Sequence, residues 1–320
     1  FKPIEIQHKE IFKHFFLQDP SQTSELTFTN LFIWRHHYHP IWLQWEDCML
    51  IIFKLEGMPP FCLPPIGSGN KRKALDILCK QLKQLTPEVR ICRVSEEFVE
   101  NFVDHDHYAS FFDRDNSDYV YRTLDLIQLS GRKYHKKKNL LNRFMKNFTF
   151  EYRHLDMELV ECLLDMQEKW CQIKECADKP DLLAEDYAIY EALTHFEELD
   201  YRGGAIQINS RIEAFSIGEP LNTDTAVIHF EKANPEIAGL YNAINQLFCS
   251  NEWSNIKYIN REQDMGIEGL RKAKESYNPC HMVNKYTLSP IESSSKVNQD
   301  AGTGIQAHVS TRKGSAIFDI

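Results

Sequence analysis

Asn260-Arg261-Glu262-Gln263-Asp264-Met265-Gly266 closes the apolar stretch 256–260 and runs directly into a charged helical period over 267–277. A strand that ends in charges of both signs and then turns into a helix has the form of the carboxyl edge of an open α/β sheet, where such sheets hold their ligands. The preceding residues supply that sheet. Gly203-Gly204 introduce a strand over 205–208, Asn209-Ser210-Arg211 turn it, and strands over 212–218 and 225–232 follow. Asn234 as N-cap and Pro235 at the first helical position open a helix over 235–250, with Ile237, Leu240, Tyr241, Ile244, Leu247 and Phe248 on one face. A last strand is expected over 282–288.

The first half alternates in the same way. A helix over 9–17 is followed by one opened by Ser24 or Thr27 that carries Leu31, Phe32 and Trp34. Ile41-Trp42-Leu43-Gln44-Trp45 and 49–55 form a hairpin turned at Glu46-Asp47, and the proline-flanked stretch 59–65 reads as a short edge strand. Gly67-Ser68-Gly69-Asn70 caps a helix over 71–85, then come a strand over 90–94, a helix over 95–102 and a strand near 109–112. The class is α+β of the α/β type. At 320 residues the chain exceeds one ordinary domain. The expected division is an N-terminal domain over 1–129, a C-terminal domain over 130–288 that begins with a basic helix over 131–148, and a loosely ordered tail over 289–320, where Ser, Gly, Thr, Asn and Gln replace any apolar period.

Apolar residues make up 42% and charged residues 26%, the balance of a soluble globular protein. No apolar run approaches the roughly 18 residues that span a bilayer, and Phe1-Lys2-Pro3-Ile4-Glu5 lacks a signal-peptide core, so the expectation is a cytoplasmic protein with no membrane span. Nine cysteines are scattered without a Cys-x-x-Cys pair, which argues against a zinc site or a disulfide framework. His36, His37 and His39, and the run Asp104-His105-Asp106-His107, lack ligand spacing, so no metal is expected. The net charge of −9 excludes a general attraction to nucleic acid, yet charge is segregated. Residues 130–148 hold seven Lys or Arg and no acid; residues 155–200 hold fourteen Asp or Glu against three Lys.

At about 100° per residue Arg132, Lys136, Asn139, Arg143 and Lys146 share a stripe about 80° wide, opposite Tyr134, Leu141, Phe144, Met145 and Phe148. Such a row is either a solvated face balanced by the acidic helices or a cleft wall for phosphates. At the charged corner, Arg261, Glu262 and Asp264 form either an internal salt bridge or a site in which Asp264 takes the proton of an attacking amine. Glu213 and Glu219 on a neighbouring strand are the alternative bases. No glycine-flanked serine or cysteine nucleophile stands out.

Leu129-Ser130-Gly131-Arg132-Lys133-Tyr134-His135-Lys136-Lys137-Lys138-Asn139 with Asn142-Arg143-Phe144, and Asn260 to Gly266 with Leu270-Arg271-Lys272-Ala273-Lys274, Tyr277 and Pro279, resemble bacterial proteins grouped with the C-terminal catalytic domain of phosphatidylglycerol lysyltransferases. The likeness spans about residues 1–288. It implies two acetyltransferase (GNAT)-like domains in tandem, each a mixed sheet flanked by helices, as in enzymes that add amino acids to cell-wall peptides from aminoacyl-tRNA. It implies transfer of an aminoacyl group to a lipid or peptide acceptor among the relatives, and the expectation here is transfer of an acyl or aminoacyl group to an amine or hydroxyl of a small-molecule or peptide acceptor. Arg132, Lys133, Lys136, Arg143, Arg261, Arg271 and Lys274, in the matching motifs, would bind the donor. In acetyltransferases the helix after the fourth strand meets the donor's diphosphate; here that corner offers Lys232 and Asn234. It lacks the usual phosphate loop, with Pro235 and Glu236 in its place. An aminoacyl-tRNA and a coenzyme A thioester both stay open as donor. The alternative is a ligand-binding protein that keeps the fold without chemistry.

Overall fold

A computed structural model describes residues 1–174 and 180–291, with side chains described outside 168–181. From residue 292 the expected tail lies outside the described residues. The strands are β1 (Lys2–Pro3), β2 (Ile41–Trp45), β3 (Cys48–Phe53), β4 (Phe61–Cys62), β5 (Ile66–Gly67), β6 (Ile91–Ser95), β7 (Tyr108–Phe112), β8 (Asp118–Arg122), β9 (Phe150–His154), β10 (Arg202–Ile208), β11 (Arg211–Pro220), β12 (Thr225–Ala233), β13 (Tyr258–Asn260), β14 (His281–Val283) and β15 (Lys285–Pro290). The helices are α1 (Lys9–Gln18), α2 (Phe28–Ile33), α3 (Arg35–Tyr38), α4 (Lys71–Lys83), α5 (Glu96–Phe102), α6 (Thr123–Gln128), α7 (His135–Asn147), α8 (Met157–Lys174), α9 (Pro180–Thr194), α10 (Leu240–Glu252) and α11 (Glu268–Glu275).

Local chemistry sets most of these bounds. Thr27, Asn70 and Ser95 each cap a helix by accepting from the backbone N–H three residues on, at 3.1, 3.1 and 3.2 Å. Two expectations shift. The stretch around β4 is internal, paired to β3 on one side and in parallel to β6 on the other, because Pro64-Pro65 divide it into β4 and β5, which both lean on β3. Helix α10 starts at Leu240 behind Gly239 (φ +87), and Asn234 does not cap it. Asn234 instead folds a turn, its Oδ1 accepting from Glu236 N at 3.0 Å and its carbonyl from Ile237 N at 3.2 Å. A Cβ at 239 would lie 2.4 Å from the Leu140 carbonyl oxygen, so glycine is required where α7 and α10 touch.

The strands form two mixed sheets, ordered β1-β2-β3-β4-β6-β15-β7 and β14-β8-β13-β12-β11-β10-β9. Each has one parallel step, β4 to β6 in the first and β12 to β13 in the second. These are two acetyltransferase-like units in tandem, each a mixed sheet flanked by helices. A core of Phe12, Phe28, Phe32, Met49 and Ile51 with Leu163, Ile189, Phe215 and Ile217 packs α1, α2, α8 and α9 between the sheets. Separate cores lie beneath α4 and α5 and beneath α6, α7 and α10. No helix among the described residues is long and apolar enough to cross a membrane.

The units exchange strands across position 129. β8, from before it, pairs with β13 and β14 in the second sheet. β15 returns from the C-terminal half to sit between β6 and β7 in the first. The single last strand expected over 282–288 is thus two strands in different sheets, hinged at Asn284. A buried ion cluster fixes the exchange. Lys285 on β15, with no exposed surface, donates to Asp118 on β8 at 2.6 Å, to Glu25 at 2.6 and 2.8 Å and to Ser24 at 3.3 Å. Asp118 also accepts from Ser24 N (2.9 Å) and from Asn260 Nδ2 (3.0 Å). Removing one partner of a buried pair leaves the other charge uncompensated, at a cost of about 3–5 kcal/mol. Lys285→Met should therefore lower the urea midpoint by an amount equivalent to about 3 kcal/mol; an unchanged midpoint would show that this cluster does not hold the exchange.

Candidate functional site

Between the two units lies a cleft of about 630 Å³, lined from the first by the 24–38 segment, Phe53, Phe61, Leu63 and Arg93, and from the second by β12, the 235–239 turn, the 261–265 corner and α11. Three cations from distant elements meet on its floor. Lys137 Nζ lies 4.2 Å and the Arg261 guanidinium 4.9 Å from the centroid of the Tyr277 ring, and Lys274 Nζ donates to the Arg261 carbonyl. Burial and the neighbouring guanidinium lower both lysines to a pKa of about 8. Arg261 is held by Glu231 at 2.8 Å, and Glu231 in turn accepts from Asn245 at 2.9 Å. Arg261 Nη1 and Gln263 Oε1, both on the lining residues, are buried without a partner among the described residues. A buried orphan donor and a buried orphan acceptor are costly unless something polar meets them.

Beside the cations stands a buried Glu-His-Glu array. His229 on β12 meets Glu219 at 2.9 Å through Nε2 and Glu262 at 3.0 Å through Nδ1. Burial opposes charge on the ring, but the two carboxylates outweigh it and lift its pKa to about 9. The helix α2 closes both ends: Thr29 Oγ1 donates to Glu219 at 3.1 Å and Asn30 Nδ2 to Glu262 at 3.2 Å. Both of Glu262's side-chain bonds fall on Oε1, which leaves Oε2 for the cleft. Glu262 also sits at φ +56, a sparsely populated conformation for this residue type, pinned by Asn260 Oδ1 and by the Tyr119 amide. Such backbone strain is kept where surrounding structure over-determines it, often at functional sites.

The sequence-derived candidates divide by location. Arg261, Lys274 and Lys232 line the cleft, though Lys232 pairs with Glu185 at 2.6 Å. Arg132, Lys133, Lys136 and Arg143 are exposed and lie outside its lining, because the face of α7 that meets the cleft is the one carrying Lys137 and Leu140. Asn234 and Glu213 also lie outside the lining and bond each other at 2.9 Å. Asp264, expected to accept a proton, is wholly buried away from the cleft. It accepts from Arg271 Nε and Nη2 (both 2.9 Å), Arg114 (3.0 Å), Tyr119 (2.6 Å) and Gly266 N (2.8 Å). Despite the desolvation that works against its charge, these bonds hold its pKa at about 2, so it is a fixed anion that braces the corner together with Arg271. Lys137, His229, Glu262 and Tyr277 were missed as site residues. Lys137 carried a signal, since at about 100° per residue it falls amid the apolar face of its helix. No group of metal-ligating side chains is arranged around a common point among the described residues.

The phosphatidylglycerol lysyltransferase C-terminal family model matches residues 19–289. An uncharacterised protein of Mycoplasmoides gallisepticum is 24% identical over 182 residues, 55% of this chain and 57% of the relative. The chain thus spans little more than half the length of that curated relative. Among solved structures, a conserved protein of unknown function from Bacteroides thetaiotaomicron is 30% identical with a TM-score of 0.84, covering 91% of this chain and 99% of its own. The C-terminal domain of a putative lysylphosphatidylglycerol synthetase from Agrobacterium fabrum superposes with a TM-score of 0.64 at 10% identity, covering 88% and 91%, a likeness of fold alone.

Two outcomes test this geometry. Asp264→Asn should cost about 3 kcal/mol of stability, read from thermal or urea unfolding, because it leaves Arg271 and Arg114 facing a neutral group. An unchanged unfolding curve would return Asp264 to the list of chemical candidates. Binding of a phosphate-bearing probe such as coenzyme A should weaken as pH rises from 7 to 9, since Lys137 and Lys274 lose their protons near pH 8, and Lys137→Met with Lys274→Met should flatten that profile. A profile equally steep in the double variant would show that other cations hold the probe.

Proposed function

The chain belongs to the phosphatidylglycerol lysyltransferase C-terminal family, and on that footing we infer that the cleft performs acyl transfer, moving an aminoacyl or acyl group from an activated ester or thioester to an amine or hydroxyl. The observation that carries this reading is the meeting of Lys137 and Arg261 over the Tyr277 ring, with Lys274 bonded to the Arg261 carbonyl and Glu262, whose backbone is strained, next in the chain to Arg261. Phosphates of the carrier would lie on the three cations and give Arg261 Nη1 its missing partner. The amides of residues 236, 237 and 240 at the helix corner are bonded within the chain, so side chains rather than a loop of amides would grip the carrier.

Glu262 Oε2 would bind the acceptor and take its proton as the new bond forms, with His229 holding Oε1. Tyr277 accepts from Asn242 at 2.7 Å and, with its pKa raised by burial, retains a proton to donate to the developing oxyanion. Beyond the pairing of Val227 with Asn260, β12 pairs with no strand on the β13 side among the described residues, and amides on that side would meet the same oxygen. The leaving group departs as the carrier's alcohol or thiol, protonated on release. Much of the acceleration would come from holding donor and acceptor together. Acceptor and donor identity, and an aminoacyl-tRNA as partner, belong to this proposal.

The test separates the carriers. Acetyl-coenzyme A, coenzyme A, an aminoacylated tRNA and the same tRNA uncharged are each added in a thermal-shift series, since a ligand of the folded state raises the melting temperature. At least one acylated carrier should stabilise the protein, and Lys137→Met should abolish that shift. With that carrier and an amine, mass spectrometry should find the amide product, and Glu262→Gln should reduce its rate about 100-fold or more while retaining the thermal shift. Stabilisation without product would favour the ligand-binding alternative. No stabilisation by any carrier would remove the basis for a transferase.

A further inference from the structure

The cleft has a second end that the transfer chemistry leaves unused. Five aromatic rings run in series along it, Phe230, Trp34, Tyr38, Phe53 and Phe61, with successive centroids 6.1, 6.0, 5.7 and 5.0 Å apart. All five line the cavity. They come from four separate places: Trp34 at the break between α2 and α3 and Tyr38 at the end of α3, Phe53 ending β3, Phe61 opening β4, and Phe230 in β12 of the other unit. Phe53 and Phe230 are buried, whereas Trp34, Tyr38 and Phe61 remain partly open to the cleft. Phe53 and Phe230 belong to the core between the sheets and Trp34, Tyr38 and Phe61 pack against it, so the half-covered rings on the cavity lining are apolar surface, backed by a rigid core, for a flat or branched apolar group.

The charges around this wall select among such groups. Arg93 is engaged by Glu25 at 3.0 Å and Asp113 at 3.6 Å, so an anionic ring compound would find its neighbouring cation already paired. Of the lining carboxylates, Glu231 is held by Arg261, Glu185 by Lys232 and Glu25 by Lys285. Glu262, also on the lining, has both of its side-chain bonds on Oε1 and no cation paired to Oε2 among the described residues, and that oxygen suits an ammonium group or the amine it becomes on losing a proton. The volume of about 630 Å³, shared with the cationic end, leaves the aromatic end room for a small molecule.

We propose that the acceptor subsite takes a small aromatic amine, its ring against Trp34, Tyr38 and Phe61 and its amino group at Glu262. The word acceptor rests on the transferase reading; the binding site does not. Isothermal titration at pH 7 with tryptamine, with 1,5-diaminopentane (amine without ring) and with indole-3-propionate (ring without amine) tests it. Tryptamine should bind at least tenfold more tightly than either control, and Trp34→Leu and Phe61→Leu should each weaken it at least tenfold without changing the diaminopentane result. The comparison of the three ligands on the unaltered protein stands even where a variant fails to fold. Tryptamine binding no better than 1,5-diaminopentane, or equally well to folded Trp34→Leu and Phe61→Leu proteins, would overturn the assignment. Because no donor is needed, tight tryptamine binding with no transfer from any carrier would defeat the transferase reading alone, and transfer to ringless amines with no tryptamine binding would defeat the aromatic subsite alone.

Discussion

The buried ammonium of Lys285 is the constraint on which the architecture turns. It sits between Asp118 and Glu25, so one positive charge ties a strand of the first sheet to a strand of the second and to the segment that enters the cleft. A lysine taken wholly out of water is tolerable only where carboxylates and hydrogen bonds compensate it. Those partners exist only when both strands have crossed to the opposite unit. The same cluster presents Ser24 and Glu25 to the cleft, and Asn260, which bonds Asp118, is the residue before the Arg261–Glu262 corner. The strand exchange and the site are therefore built on shared atoms.

Charge within the cleft is sorted at close range. Lys137 and Arg261 lie over the Tyr277 ring, which can face them without neutralising them, and Arg261 also holds Glu231, while the other carboxylates are drawn to His229 and to Lys232. This arrangement leaves Lys137 and the unpartnered Nη1 of Arg261 available to an anion although acids lie nearby. The apolar wall of the first unit completes a cavity with three different surfaces: cationic, acidic and aromatic. A molecule that bridges all three would be one in the act of leaving a charged carrier for an apolar amine.

Local patterning made much of the fold legible. The caps at Thr27, Asn70 and Ser95, the hairpin at Glu46-Asp47 and the apolar faces of α4, α7 and α10 depend on residues a few positions apart, and the structure has these elements close to where they were read. Reading failed where a partner was distant. Asn234 and Pro235 satisfy every local rule for opening a helix, yet the contact of Gly239 with Leu140 on α7 delays it by a turn. The motif stretches led to the cleft at Arg261 and Lys274, but Lys137, Glu262 and Tyr277 line it too while the exposed stripe and Asp264 do not, because charge and spacing do not reveal which face of an element meets another.

By itself the sequence determined most of the helices and strands and, through its resemblance to a family, two mixed sheets each flanked by helices, and it singled out cations near 130–146 and 261–274. Periodicity, turn residues and caps are local, and local interactions act whatever the rest of the chain does. Only the tertiary structure decided that β8 and β15 change units, that Asp264 is a brace, and that Lys137 turns inward beside Arg261. Those outcomes depend on pairing groups more than a hundred residues apart, and the free energy of burying a charge is set by whichever partners the completed fold brings to it.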